Sequence, residues 1–295
     1  MRAARLLRHL PAAIAVAPAA SVVLAVYVGC SVWSLRISLT SSHLLPIDDF
    51  VGLRQYQALL SNSRWQGSVL NLLIIGPLFI GLALLIGFLL AILIDQKIRG
   101  ESLMRTIFLY PFSMSFVVTG LVWQWLLNPS VGIQKLGRDL GFPDFRFDWI
   151  VDRRMVVYTI VAAAVWHGSG LVMVIALAGL RGIDDDIWRA SRIDGIPAWR
   201  TYLFIVLPML GASLATAAVL LAISVVRLYD LVVAMTNGGP GLGSEVPAKF
   251  IIDNLFERQN IGLATAAATV MLVTVLAVVV PWIYAQQGRA GRATR

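Results

Sequence analysis

Residues 68–94 read SVLNLLIIGPLFIGLALLIGFLLAILI, an apolar run without one charged side chain. Coiled as a helix at about 1.5 Å per residue, it is long enough to cross a hydrocarbon core about 30 Å thick. Comparable runs occupy roughly 13–35, 104–127, 155–180, 208–233 and 261–284. The whole chain of 295 residues is 58% hydrophobic and only 14% charged, with a mean hydropathy of +0.79. Soluble domains carry about 25% charged residues, so this composition belongs to a membrane protein. Lipid tolerates no open backbone, which leaves helices or a closed barrel. The alternating segments of about ten residues that a barrel needs are absent. The expected fold is therefore all-α and integral to the membrane, with six transmembrane helices in a single domain over 1–295.

Six spans sort the connecting segments onto two sides, and positive charge orients them. Segments 1–12, 95–103, 181–207 and 285–295 hold twelve Lys and Arg in 59 residues. Segments 36–67, 128–154 and 234–260 hold ten in 86 residues. The first set is the cytoplasmic one, with both termini inside. The net charge of +8 thus flanks spans rather than forming a nucleic-acid surface. The apolar stretch near the N-terminus continues to about Leu35, too long for a cleaved signal of 7–15 apolar residues, and reads as a retained span. The single cysteine, Cys30, lies inside it and excludes a disulfide framework.

Several chemistries are missing. GxxxxGK[ST], HExxH, CxxC and GxSxG do not occur, and His9, His43 and His167 are far apart in sequence. No catalytic, nucleotide or metal site is expected on this chain.

The cytoplasmic segment 181–207 is unusually structured. Asp184, Asp185 and Asp186 suit a helix N-terminus, predicting a short helix over Asp185–Ile193. Gly195 and Pro197 then break it, and a second helix starts near Ala198 and leads to Pro208. Ile187, Trp188 and Ser191 share one face of the first helix, Arg189 and Arg192 another. Trp188 and Trp199 are large, stiff anchors of the kind that dominate protein interfaces. The segment is either a docking element for another protein or an interfacial connector with its tryptophans at headgroup depth.

Residue order resembles the signature loop of permease subunits in binding-protein-dependent ABC sugar importers of the maltose type. That family's pattern is roughly Glu-Ala-Ala-x-x-Asp-Gly-Ala followed by a Leu-Pro. Arg189-Ala190-Ser191-Arg192-Ile193-Asp194-Gly195-Ile196 and Leu207-Pro208 lie over it, with Arg189 where the family has glutamate and Ser191 where it has its second alanine. FVGLRQYQALLSN (50–62), Tyr110-Pro111-Phe112 and LYDLVVAMTNGGPG (228–241) extend the resemblance over nearly the whole chain, with most similarity to the first permease of α-glucoside importers.

The resemblance implies a type I ABC importer permease architecture with a coupling helix–turn–helix. It implies a heterodimer with a second permease, a docked ATPase dimer carrying ATP and magnesium, and an extracytoplasmic solute-binding protein. The location implied is the cytoplasmic (inner) membrane. Trp188, Arg189, Ala190, Ser191, Asp194, Gly195 and Pro208 become ATPase-coupling candidates. Phe112, Phe116, Trp166, Gly168 and Leu171 become candidates for the sugar path, with His167 and Ser169 as departures that tune it. From the residues alone, Trp166-His167-Gly168-Ser169-Gly170 serves either sugar stacking or close helix packing through Gly168, Gly170 and Gly179. Arg227 and Asp230, at i and i+3, suit a pair on one helix face, serving structure or substrate. Gly238, Gly239 and Pro240, in an outer loop, serve either a contact with the binding protein or simply a plain tight turn. The alternative function is an ion-coupled secondary transporter, for which Asp230 is the sole buried-carboxylate candidate. A membrane-embedded transferase using Asp184–Asp186 is a further alternative that helix capping makes unnecessary.

Overall fold

The structure is a computed structural model and describes residues 16–96 and 99–293. The basic flank at 1–12, the first residues of the first span, Lys97 and Arg295 lie outside the described residues. The chain divides into two compact units, Met1–Trp65 with Phe250–Arg295, and Gln66–Lys249.

In the first unit, α1 (Val16–Ile37) and α2 (Arg54–Leu60) pack on α13 (Ile261–Ala293), the helix that contains the sixth predicted span. Gly262 makes the contact close: its N–H donates to the Ser42 carbonyl at 2.8 Å, and a Cβ there would meet the Thr40 carbonyl oxygen at 2.7 Å. α3 (Ser63–Asp95) starts five residues before the apolar run that announced it. The reason is Asn62, whose side-chain oxygen accepts from the Arg64 N–H at 3.0 Å and caps the helix.

The second unit is organised around α7 (Val156–Arg181), whose membrane-crossing window is 72% buried. A helix apolar on every side is stable only when neighbours cover it. Here α3, α4 (Glu101–Ser113), α5 (Phe116–Leu126), α10 (Gly211–Val226) and α11 (Tyr229–Thr236) do so. One core joins Phe79 and Ala83 with Ile160, Ala164, Leu221 and Leu231; another joins Phe88 and Ile94 with Met173, Leu180 and Leu210. Small residues set the approach distances. A Cβ on Gly170 would lie 2.1 Å from the Phe108 carbonyl oxygen, a backbone atom that can give way only if α4 itself shifts. Gly170→Val is therefore expected to cost about 1–3 kcal/mol by forcing α4 and α7 apart. A lower thermal midpoint in detergent reads this out. Gly81→Ala, with nothing within 4 Å, is the control expected to lose none.

Two predicted spans are not continuous helices. The third, expected over 104–127, is α4 and α5 bent by 100°. Met114 and Ser115 are extended, and the Ser115 side chain, four residues after Pro111 withdrew a donor, accepts from the Val118 N–H to cap a new helix. The fifth, expected over 208–233, begins with a 71° bend between Ala198–Met209 (α9) and α10. Pro208 cannot donate to the Phe204 carbonyl, and α9 accommodates it with a wide π turn over Thr201–Val206 and an end at Leu210. A second break at Arg227 and Leu228 separates α10 from α11. α6 (Ile133–Asp139) and α12 (Pro247–Ile252) are short loop helices, and among the described residues no strand forms beyond one isolated bridge, Thr40 with Phe50.

Candidate functional site

The segment between α7 and α10 folds as its residues dictate. α8 runs over Asp185–Ile193, and the Asp184 side chain caps it by accepting from the Asp186 N–H at 3.0 Å. Its far end closes in a Schellman turn: Ile196 N–H donates to the Ser191 carbonyl at 3.0 Å and Gly195 N–H to the Arg192 carbonyl at 3.2 Å. Gly195 takes φ +67°, the left-handed conformation that this turn demands. α9 follows directly.

Sides of α8 are cleanly divided. Trp188 and Ser191 turn inward: Trp188 packs on Tyr202 at 5.5 Å between ring centres, and the Ser191 hydroxyl donates to the Trp188 carbonyl at 3.1 Å. Trp188 is thus anchored to its own chain and half-buried, while Trp199 is exposed. Arg189, Ala190, Asp194 and Gly195 lie on the outer side with Ile193, which is 84% exposed. Arg189 holds Asp186 at 3.2 Å, an exposed pair. Pro208 is exposed at the far end of α9.

Beneath this loop lies a charge cluster not anticipated from the sequence. Arg181, the last residue of α7, reaches Glu101 at the start of α4 at 2.7 Å and Asp95 at the end of α3 at 3.6 Å. Arg105 also pairs with Glu101. Arg181 and Arg105 figured in the sequence reading only as basic flanks; i, i+4 spacing of Glu101 and Arg105 was the available signal for their pairing.

The structure brings Phe112, Phe116 and His167 together. His167 is buried, stacked on Phe116 at 4.4 Å and tilted against Phe112 at 5.6 Å, with its Nδ1 3.2 Å from the Thr119 hydroxyl. Trp166 faces the other way, edge-on to Trp123 at 6.1 Å and 38% exposed. Gly168 and Ser169 are enclosed by neighbouring side chains. A Cβ at Gly168 would strike Phe79 and Leu221, so this glycine serves packing, and Ser169 is buried with its hydroxyl directed to the Trp166 carbonyl at 3.4 Å. Leu171 is half-buried one turn further on.

Arg227 and Asp230 are not paired. Both are exposed, and the ion pairs among the described residues do not include them. The break at Arg227 and Leu228 removes the continuous helix on which the i, i+3 spacing depended. Asp230 is likewise no buried carboxylate.

The loop after α11 is a closed turn. The Thr236 and Ser244 hydroxyls lie 2.7 Å apart, Ser244 donates to the Gly239 carbonyl at 2.7 Å, and Asn71 of α3 donates to the Glu245 carbonyl at 2.9 Å. Gly238 is buried against the Lys249 side chain. Gly239 and Pro240 are half-buried, while Gly241 and Leu242 form the exposed tip. Among the described residues, no group of three His, Cys, Asp or Glu side chains is placed to hold a metal ion.

Residues 83–290 match the family model described as binding-protein-dependent transport system inner membrane component. A probable ABC transporter permease protein of Pyrococcus horikoshii is 37% identical over 86% of this chain and 87% of its own length. The xylose/arabinose import permease protein XacH of Haloferax volcanii is 32% identical over 91% of this chain and 85% of its own. Among solved structures, the bacterial alginate ABC transporter in complex with an alginate pentasaccharide-bound periplasmic protein shares the fold. Its TM-score is 0.79 over 94% of this chain and 93% of that one, at 16% identity.

Proposed function

Because the chain belongs to the family of binding-protein-dependent transport system inner membrane components, we propose that it is one of two permease subunits of an ATP-driven sugar importer. The sugar is a di- or oligosaccharide of the α-glucoside kind, delivered by an extracytoplasmic binding protein. ATP and magnesium act on a partner ATPase dimer, and this chain contributes no catalytic group or cofactor. Both termini and the α8–α9 loop face the cytoplasm.

The observation that carries this reading is the outward face of α8. Arg189, Ala190, Ile193 and Asp194 are exposed on a capped, rigid helix that its own chain grips only from behind. An apolar side chain as exposed as Ile193, flanked by charges, fits a docking surface better than a solvated connector. The path itself is supported by the stripe Tyr158, Ala162 and Trp166, exposed along the outer half of α7, whose other residues from Val156 to Gly170 are buried. A second permease would close that stripe into a channel, with Phe112 and Trp166 offering ring faces to a pyranose.

The test is recovery of the tagged chain from its native membrane in mild detergent. Co-recovery of a second permease and an ATPase is the expected result. A homo-oligomer with no ATPase, under conditions that preserve known complexes, favours the ion-coupled transporter instead.

A further inference from the structure

α8 does not rest on a continuous surface. A groove of roughly 910 Å³ runs between the loop and the helix ends, lined by Asp95, Gln96 and Arg181 on one wall and Trp188, Arg192 and Tyr202 on the other. The loop crosses it through two directional links. One is Gln96 at the end of α3, whose side-chain amide donates to the Tyr202 hydroxyl of α9 at 3.1 Å, with Trp188 of α8 resting on the Tyr202 ring. The other is Arg181, at the entry to the loop, bound to Asp95 at 3.6 Å and to Glu101 at 2.7 Å. Both links converge on the last turn of α3, and the second continues into the first turn of α4.

Ile183, Trp188 and Tyr202 also touch the apolar cluster of Ile94, Leu180 and Leu210. Apolar contacts are non-directional and slide at little cost. Hydrogen-bonded ion pairs fix register, and a guanidinium shared by two carboxylates fixes it in two directions. The geometry points to Arg181 as the positioning residue through which movement of the α8–α9 loop is passed to the cytoplasmic ends of α3 and α4. This rests on the importer reading above, since it is the ATPase that would move the loop. α4 is well placed to respond, because its bent junction with α5 at Met114 and Ser115 lets its inner end swing without dragging a straight helix.

The native cysteine is single, so Cys30→Ala gives a background for spin labels. One label goes at Phe204→Cys on α9 of the loop or Ser102→Cys on α4, each paired with a reference at Leu140→Cys in the same unit. All three positions are exposed. Distances are measured in the complete transporter in lipid nanodiscs, without nucleotide and with magnesium-ATP and vanadate. In the wild type both pairs are expected to shift. In Arg181→Gln the loop shift is kept and the Ser102 shift is lost, and Arg181→Lys restores it in part. Glu101→Gln, which leaves Arg181 its Asp95 contact, provides a second variant with the same expected split. If Arg181→Gln and Glu101→Gln both leave the Ser102 shift intact, or abolish the loop shift as well, the role of Arg181 is overturned while the importer reading stands. Absence of any ATP-dependent shift in a wild-type complex overturns both.

Discussion

Replacing Arg64 with Met is expected to lower the unfolding free energy by about 3–5 kcal/mol, the size found when one partner of a buried ion pair is removed. Arg64, in the first turn of α3, pairs with Asp253, and their side chains are only 13% and 6% exposed. Trp65 and Phe250 wall them in: the two rings meet edge-on at 5.3 Å, and the Arg64 guanidinium lies 5.7 Å from the Phe250 ring centre. Asp253 opens a π turn whose backbone is itself fastened, Arg258 N–H donating to the Asp253 carbonyl at 2.8 Å. Asp253→Asn should cost a comparable amount. The pair matters chiefly as a mutual cancellation of desolvation, so Arg64→Met with Asp253→Leu should recover much of what either single change loses. Unfolding in detergent on all variants completes the cycle. Single losses of no more than about 1 kcal/mol would mean that the pair behaves as a solvated surface bridge.

That pair also marks a boundary of what the sequence discloses. Its members stand 189 residues apart, and nothing local announces their meeting. Local signals did disclose α8, whose extent Asp185–Ile193 follows from an acidic N-terminus and a glycine able to take φ +67°. Capping and the left-handed turn act within four residues, the range over which residue order alone is decisive. Hydropathy disclosed where α3 and α7 cross, because an apolar run long enough for a bilayer has one solution in lipid. It missed the start of α3, since the cap at Asn62 lies outside the apolar run.

Breaks inside apolar runs were the systematic failure. Met114 is as apolar as its neighbours, so hydropathy reads straight through the 100° bend, and only Pro111 and the Ser113–Ser115 pair hint at it. The same oversight produced the Arg227–Asp230 pair, since i, i+3 proximity presumes an unbroken helix. For the glycines of α7, both roles open in the sequence predict small residues. Phe79 and Leu221 at Gly168, and the Phe108 carbonyl at Gly170, decide for packing. Of the aromatic sugar-path candidates, Phe112 and Trp166 keep exposed surface.

Asp194→Lys is expected to abolish sugar uptake while leaving the protein folded, inserted and at least as stable. The two halves of that expectation come from opposite ends of one helix argument. Asp194 is the C-cap of α8, exposed, with no side-chain bond, and a carboxylate at a helix C-terminus is unfavourable. A lysine there should improve the local energy by about 0.3–1 kcal/mol. Any loss of function therefore comes from a surface that something else reads, because the chain itself gains. Gly195→Leu attacks the same surface from within. The space around Gly195 is open, so the only cost is holding an L-residue at φ +67°, about 1–2 kcal/mol. That strain re-aims the chain between α8 and α9 and with it Ile193 and Arg189. On the proposed importer reading, both variants should keep near-normal ATP hydrolysis by the partner ATPase and lose its link to transport, measured as ATP consumed per sugar imported in proteoliposomes. Coupled uptake at the wild-type ratio in Asp194→Lys would show that the outer face of α8 is not what the ATPase grips.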